Sequence, residues 1–110
     1  MKKNIHFLLL LLALLLPVTV NAENIEVNGI YYKIDSEQAT VTNQNYNTST
    51  SWEASSYSGS VTIPATFYYN GILRTVTEIG GYAFDGSGVT SVTIPNTVWL
   101  IGDGAFQGCI

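Results

Sequence analysis

The 110-residue sequence is poor in the side chains on which most enzymes and nucleic-acid-binding proteins depend. It has four lysines and arginines, one histidine and one cysteine, against eight aspartates and glutamates. A nucleic-acid partner is not expected, because neutralising phosphates requires clustered basic residues. A serine or cysteine nucleophile needs a base such as histidine, but the single histidine, His6, lies in the amino-terminal 22 residues and the rest of the sequence has none. The usual zinc sites need several cysteines and histidines. The sequence therefore predicts no catalytic site, no cofactor and no metal site of these kinds.

The amino terminus has the three parts of a secretory signal peptide over residues 1–22. Two lysines precede an apolar run over 7–16, and Val20-Asn21-Ala22 is a small-residue cleavage site. The run is about half of the roughly 20 residues that a membrane-spanning helix needs, which disfavours a transmembrane anchor. No cysteine lies near the cleavage site to accept a lipid. We expect an exported, secreted or cell-surface protein that begins at Glu23, has no transmembrane segment and carries a formal charge of 2 − 8 = −6.

Two stretches in the second half share residue types at fixed spacing. Phe84 precedes Phe106 by 106 − 84 = 22 residues, and Ile79 precedes Ile101 by the same interval. The segment VTIP occurs at 61–64 and again at 92–95, here 92 − 61 = 31 residues apart. A period near 22 in a β-rich sequence indicates stacked coils, each made of a strand and a short turn or helix.

The first copy therefore carries nine extra residues, 67–75. They contain Asn70-Gly71 between two β-prone triplets, a strong signal for a two-residue hairpin. The expectation is a protruding hairpin inserted into the first repeat, which could be deleted with little damage to the coil.

This pattern resembles the BspA-type leucine-rich repeat of bacterial surface proteins, over residues 60–110. The resemblance implies a mainly β leucine-rich-repeat solenoid with a short helical turn in each coil. Valine or isoleucine stands where leucine is usual, and Ser87 occupies the position that Cys109 holds in the second copy. The expected repeat core is Val61, Ile63, Val76, Ile79, Ala83, Phe84, Val89, Val92, Ile94, Val98, Ile101, Ala105, Phe106 and Cys109.

Alternating apolar residues and turn signals upstream predict three short strands in an antiparallel meander over residues 23–42. This unit is expected to cap the first coil and shield its apolar edge. Residues 43–59 have no sustained periodicity and read as a loop or linker, which Trp52 and Tyr57 are expected to pin to the cap.

The candidate sites are few. Tyr68, Tyr69 and Trp99 lie on or beside predicted strands, where outward rings would form a binding surface, although they could equally pack beneath the hairpin or on a neighbouring coil. Asp85 and Asp103 lie in glycine-containing turns, but these turns lack the further oxygen ligands of a calcium site. A glycosidase pair of Glu78 and Asp103 has no more support than chance in an acidic protein.

Cys109 could be a buried small hydrophobe or pair with another chain, and burial is favoured because the position falls inside the coil. Because Cys109 lies next to the end of the sequence, the alternative hypothesis is a frayed, reactive thiol.

By resemblance, the function expected is non-enzymatic binding or adhesion at the bacterial cell surface, with a protein or glycan ligand on host or neighbouring cells. Two alternatives remain open. The repeats could be the accessory module of an exported enzyme whose catalytic domain lies beyond residue 110, or the product could be a nonfunctional gene fragment. Because about three repeats are normally needed for a stable array, we expect the chain to be the amino-terminal piece of a longer protein.

Overall fold

A computed structural model of the chain describes residues 24–46 and 53–109. It contains eight strands and, within those two ranges, no helix, which confirms a mainly β architecture. The predicted signal peptide and Trp52 lie outside the described residues. In chain order, the strands are β1 (Asn24–Val27), β2 (Ile30–Asp35), β3 (Gln38–Thr42), β4 (Ser58–Thr62), β5 (Thr66–Tyr69), β6 (Ile72–Ile79), β7 (Gly88–Thr93) and β8 (Leu100–Ile101).

The first three strands form an antiparallel meander. Asn28 and Gly29 both have a positive φ, as the tight turn between β1 and β2 requires. In this register Tyr32 of β2 lies opposite Ile25 of β1 on one side and Val41 of β3 on the other. All three side chains are buried, so one face of the meander contributes to the core.

The meander is hydrogen-bonded directly to the repeat region, because β3 pairs with β6 in parallel. On its other side, β6 pairs antiparallel with β5 along its first half and parallel with β8 at its end. The resulting six-stranded sheet is curled, so that strands distant in the sheet order approach each other. The ring of Tyr32 on β2 stacks on that of Phe67 on β5, with centroids 4.2 Å apart.

A second sheet consists of β4 and β7, which pair in parallel. These strands carry the first two residues of each VTIP segment, and Ile63 extends the pairing by donating its backbone N–H to the carbonyl of Thr93 at 3.0 Å. The predicted linker, 43–59, ends within this sheet, because β4 begins at Ser58.

The short helical turn that the resemblance implied is not seen. Residues 81–86 and 103–108 form successive hydrogen-bonded turns instead, each closed by a bond from an N–H to the carbonyl three residues earlier. Helix requires consecutive residues with negative φ, whereas Tyr82 has a φ of 58° and Gly104, at the equivalent position, a φ of 63°. Left-handed residues recur four positions later at Gly86 and Gly108. These residues convert each segment into a chain of tight turns.

The two turn segments are hydrogen-bonded to each other in register. Tyr82, Phe84 and Gly86 donate their backbone N–H groups to the carbonyls of Asp103, Ala105 and Gln107, at 3.0, 2.7 and 2.8 Å. The backbones also approach closely at Gly102, where a Cβ atom would lie 2.5 Å from the nitrogen of Gly81. A glycine is therefore required at position 102 by the space available.

Most of the predicted repeat core is buried or half-buried, but two members are not. Ile94 and Ile101 are exposed, whereas their counterparts in the first repeat, Ile63 and Ile79, are buried. The physical reason is that the second repeat covers the first, whereas no described residue covers the outer side of the second repeat.

The packing of the hairpin does not support the expectation that it protrudes and can be removed. Phe67 is buried against Tyr32, and Arg74, its partner across the strands, is buried as well. The Arg74 guanidinium donates from Nη1 to the carbonyl of Ser36 and from Nη2 to that of Tyr69. Because β6 runs without interruption from the hairpin into the repeat, the hairpin is part of the sheet, and Phe67 and Arg74 contribute its buried side.

Candidate binding surface

The three aromatic residues predicted as a binding surface occupy different positions. Tyr68 is 71% exposed on β5, and Trp99 is 70% exposed immediately before β8. Tyr69 is half-buried and points to the opposite face of β5 from Tyr68. β5 pairs with the first half of β6, and β8 pairs with its end. Tyr68 and Trp99 therefore lie beside different parts of β6.

Tyr68 stands on the wall of a groove of about 450 Å³. The groove lies where the curled sheet brings the turn between β1 and β2 close to β5, and the segment after β4 forms a third wall. Tyr32 and Phe67 are among its lining residues, together with the polar residues Asn28, Thr62 and Thr66. Sequence reasoning found Tyr68 but missed the groove, because no local signal shows that strands so distant in the sheet order meet.

A second groove, of about 380 Å³, lies on the far side of the second repeat. Val92, Ile94, Phe106 and Cys109 are among its lining residues. Three of these are half-buried and one is exposed, although all were predicted in the core.

Cys109 lies where the repeat spacing predicted, above Ser87. Its Sγ is 3.5 Å from the Ser87 Oγ and 3.0 Å from the backbone carbonyl of Phe84, to which the thiol donates. The thiol is half-buried and forms no disulfide. These contacts fit the reading of Cys109 as a packing residue better than that of a frayed thiol.

Tyr57 is the residue whose importance the sequence understated. Its hydroxyl donates to the carbonyl of Thr42 at 2.6 Å and accepts the backbone N–H of Tyr31 at 2.8 Å, both in the meander. Its ring packs on Phe84 of the first repeat, with centroids 4.6 Å apart. Desolvation by burial raises the pKa of Tyr57 and raises that of Tyr32 to about 12, so both are neutral hydroxyls at ordinary pH. Tyr57 thus ties the linker to the meander and to the repeat.

The acidic turn residues Asp85 and Asp103 accept hydrogen bonds through their backbone carbonyls. Tyr82 N–H binds the carbonyl of Asp103, and Ser55 N–H binds that of Asp85, so both aspartates serve the stacking through their backbones. Among residues 24–46 and 53–109, no group of three or more histidine, cysteine, aspartate and glutamate side chains could hold a metal ion.

The geometry of the chain is similar to that of a leucine-rich cell surface protein from Faecalibacterium prausnitzii. The TM-score is 0.59 at 25% sequence identity, over 76% of this chain and 20% of that one. The resemblance to BspA-type leucine-rich surface proteins is confirmed. This chain therefore spans about a fifth of the length of its leucine-rich relative.

The pneumococcal vaccine antigen PcpA is also similar, with a TM-score of 0.47 and 19% identity over 80% of this chain and 31% of that one. No protein-family model and no curated protein matches the sequence. Within the described part of the chain, no helix has the length and apolar character needed to cross a membrane.

Proposed function

We propose that this chain is an exported, non-enzymatic leucine-rich-repeat protein that binds a protein or glycan at the bacterial cell surface. The observation that carries the proposal is the structural similarity to a leucine-rich cell surface protein, together with the predicted signal peptide. In this proposal the described repeats are the first coils of a solenoid. The hydrogen bonds that join the two turn segments in register support that reading, since the same bonds can be repeated by each added coil.

The surface aromatics support a role in binding. Tyr68 and Trp99 expose most of their rings, although large aromatic side chains gain free energy from burial and dominate the energetics of protein interfaces. Both rings are held on hydrogen-bonded backbone, because β5 is paired along its length and the Trp99 N–H donates to Thr77 at 3.0 Å. A contact surface carried on a rigid sheet loses little conformational entropy on binding.

The test is made on cells that produce the protein. Mass spectrometry of the exported product should give a chain that begins at Glu23, and antibody should label intact cells until external protease removes the signal. Cells lacking the gene should attach less well to surfaces coated with host glycoproteins, and production of the double variant Tyr68→Ala, Trp99→Ala should restore attachment only in part. A product retained inside the cell, or attachment unaffected by loss of the gene, would refute the proposed function.

A further inference from the structure

The groove beside Tyr68 has the features of a small-ligand site and lies outside the faces on which repeats stack. Its volume of about 450 Å³ falls within the range of roughly 300 to 1,000 Å³ that is common for ligand pockets. We propose that this groove binds a neutral oligosaccharide.

The lining supplies one exposed aromatic side chain. Tyr68 lines the groove and is 71% exposed. It points to the opposite face of β5 from its neighbour Phe67, whose ring is buried and stacked on Tyr32 with centroids 4.2 Å apart, so the strand that carries Tyr68 is fixed. One side of a sugar ring presents C–H groups, and packing these against an aromatic face removes apolar surface of both partners from water.

The polar residues that line the groove can form hydrogen bonds with the hydroxyl groups of a sugar. Asn28, Thr62 and Thr66 line the groove from three different segments of the chain. Amide and hydroxyl side chains both donate and accept hydrogen bonds, as sugar hydroxyls do. Asn28 belongs to a tight turn with positive φ at both central residues, so its position is set by the backbone before any ligand arrives.

The charge of the lining selects a neutral ligand. No residue that lines the groove is charged, and the chain as a whole is acidic. A sialylated, sulfated or phosphorylated ligand would lose hydration without gaining a cation to pair with. An extended peptide would bind instead along one strand edge through main-chain hydrogen bonds. The polar side chains here come from separate segments, which favours a compact, hydroxyl-rich ligand over a peptide.

This inference rests on the proposed function, since it names the ligand class of an exported binding protein. Its test is binding by the purified exported chain, measured by titration calorimetry with four neutral hexasaccharides: cellohexaose, laminarihexaose, maltohexaose and mannohexaose. Hexagalacturonic acid and an octapeptide of alternating serine and valine serve as charged and peptide probes. We expect at least one neutral hexasaccharide to bind and neither of the other probes to do so.

The variants locate the site. Tyr68→Ala should weaken binding by about tenfold or more, the loss expected for a central aromatic contact. Tyr68→Phe keeps the ring and should stay within about threefold of the unmodified chain. Tyr46→Ala removes an exposed tyrosine that does not line the groove and should leave binding unchanged. Because Tyr68 is exposed, thermal melts of its variants should match that of the parent chain.

Three results would overturn the inference: no binding by any neutral hexasaccharide, tighter binding of the charged or peptide probe, or binding insensitive to Tyr68→Ala. The surface labelling and attachment tests separate this failure from that of the proposed function. A protein that is displayed on cells and mediates attachment, yet binds none of these sugars, would retain the proposed function and lose only this ligand class.

Discussion

The two repeats share several core residues at equivalent positions, yet these residues differ sharply in burial. Ile79 in the first repeat is 1% exposed, whereas Ile101 in the second is 49% exposed. Ile63 and Ile94 differ in the same direction, at 2% and 37%. Burial in a stacked array is therefore decided by the neighbouring coil, because each repeat contacts only the units on either side of it.

The aromatic residues show the same contrast in their packing. Phe84 lies between Tyr57, with ring centroids 4.6 Å apart, and Phe106, at 5.1 Å with nearly parallel rings. Phe106 has Phe84 on one side, and no described ring lies on the other. The linker residue Tyr57 thus occupies, for the first repeat, the place that a preceding coil would fill.

The largest effect on stability should come from deleting the hairpin segment 67–75, which has no counterpart in the second repeat. Deletion of residues 67–75 equalises the two repeats in length, but it removes the buried Phe67 and Arg74 and shortens β6. We expect loss of the cooperative urea-unfolding transition, because truncating a single buried phenylalanine already costs about 3 to 5 kcal/mol. Circular dichroism across the urea range measures it.

A double variant on the exposed side of the same hairpin provides the control. Tyr68 and Leu73 lie opposite each other and are both exposed, so Tyr68→Thr with Leu73→Thr should change the free energy of unfolding by less than about 1 kcal/mol. A deletion that unfolds with the parental midpoint would show that the hairpin is, after all, separable from the core.

The next comparison is between equivalent phenylalanines. Phe84→Ala should lower the free energy of unfolding by about 3 to 5 kcal/mol, because Phe84 is fully buried. Phe106→Ala should cost about 1 to 2 kcal/mol, since the side chain is only half-buried and covered on one side. Equal costs would mean that the open face of the second repeat is covered in solution.

The sequence pattern predicted the repeat spacing, the strands and the position of the hairpin turn, because these depend on local periodicity and on dipeptides such as Asn70-Gly71. It placed Phe84 and Ile79 in the core correctly. It failed for Ile94 and Ile101, which have the same residue types but lack a covering coil. It also predicted a helical turn where Tyr82 has a positive φ. A positive φ is uncommon for residues other than glycine, so a tyrosine gives no indication of it in the sequence.

The candidate site was less predictable than the fold. Tyr68 could be singled out as an aromatic on an alternating strand, but the groove beside it depends on the curl of the sheet. The role of Arg74 was hidden for the same reason, since its partner Ser36 lies in the meander, 38 residues away. The contact of Tyr57 with the meander was predicted, but its packing on Phe84 was not.

Tyr57→Phe tests whether the first repeat depends on the linker as it does on the second repeat. The ring contact with Phe84 remains, but the carbonyl of Thr42 and the N–H of Tyr31 lose their partner hydroxyl. Leaving a buried polar group unsatisfied costs about 1 to 3 kcal/mol, so we expect a loss of about 2 to 4 kcal/mol in the free energy of unfolding. A change below about 0.5 kcal/mol would show that water replaces the hydroxyl and that the linker is not essential.

The smallest expected effect is the loss of stability at high pH that follows from the ionisation of Tyr32. Tyr32 packs on Phe67, and burial raises its pKa to about 12 in the folded protein. An unfolded tyrosine ionises near pH 10, so between about pH 10 and 12 the unfolded state binds fewer protons than the folded one and stability falls as the pH rises. Below about pH 10 this contribution is constant.

The matched variant Tyr32→Phe cannot ionise and keeps the ring that stacks on Phe67. Unfolding by urea at pH 9 and pH 11 should show that the parent chain loses about 1 to 2 kcal/mol more than Tyr32→Phe over this interval. The difference between the two chains removes the contribution of every other titrating group. Because Tyr32 contacts the hairpin of the first repeat and not the second repeat, adding Phe106→Ala to both chains should leave that difference unchanged. A difference that disappears in the Phe106→Ala background would show that the two repeats are coupled through the core, and that the open face of the second repeat helps to hold Tyr32 in its buried position.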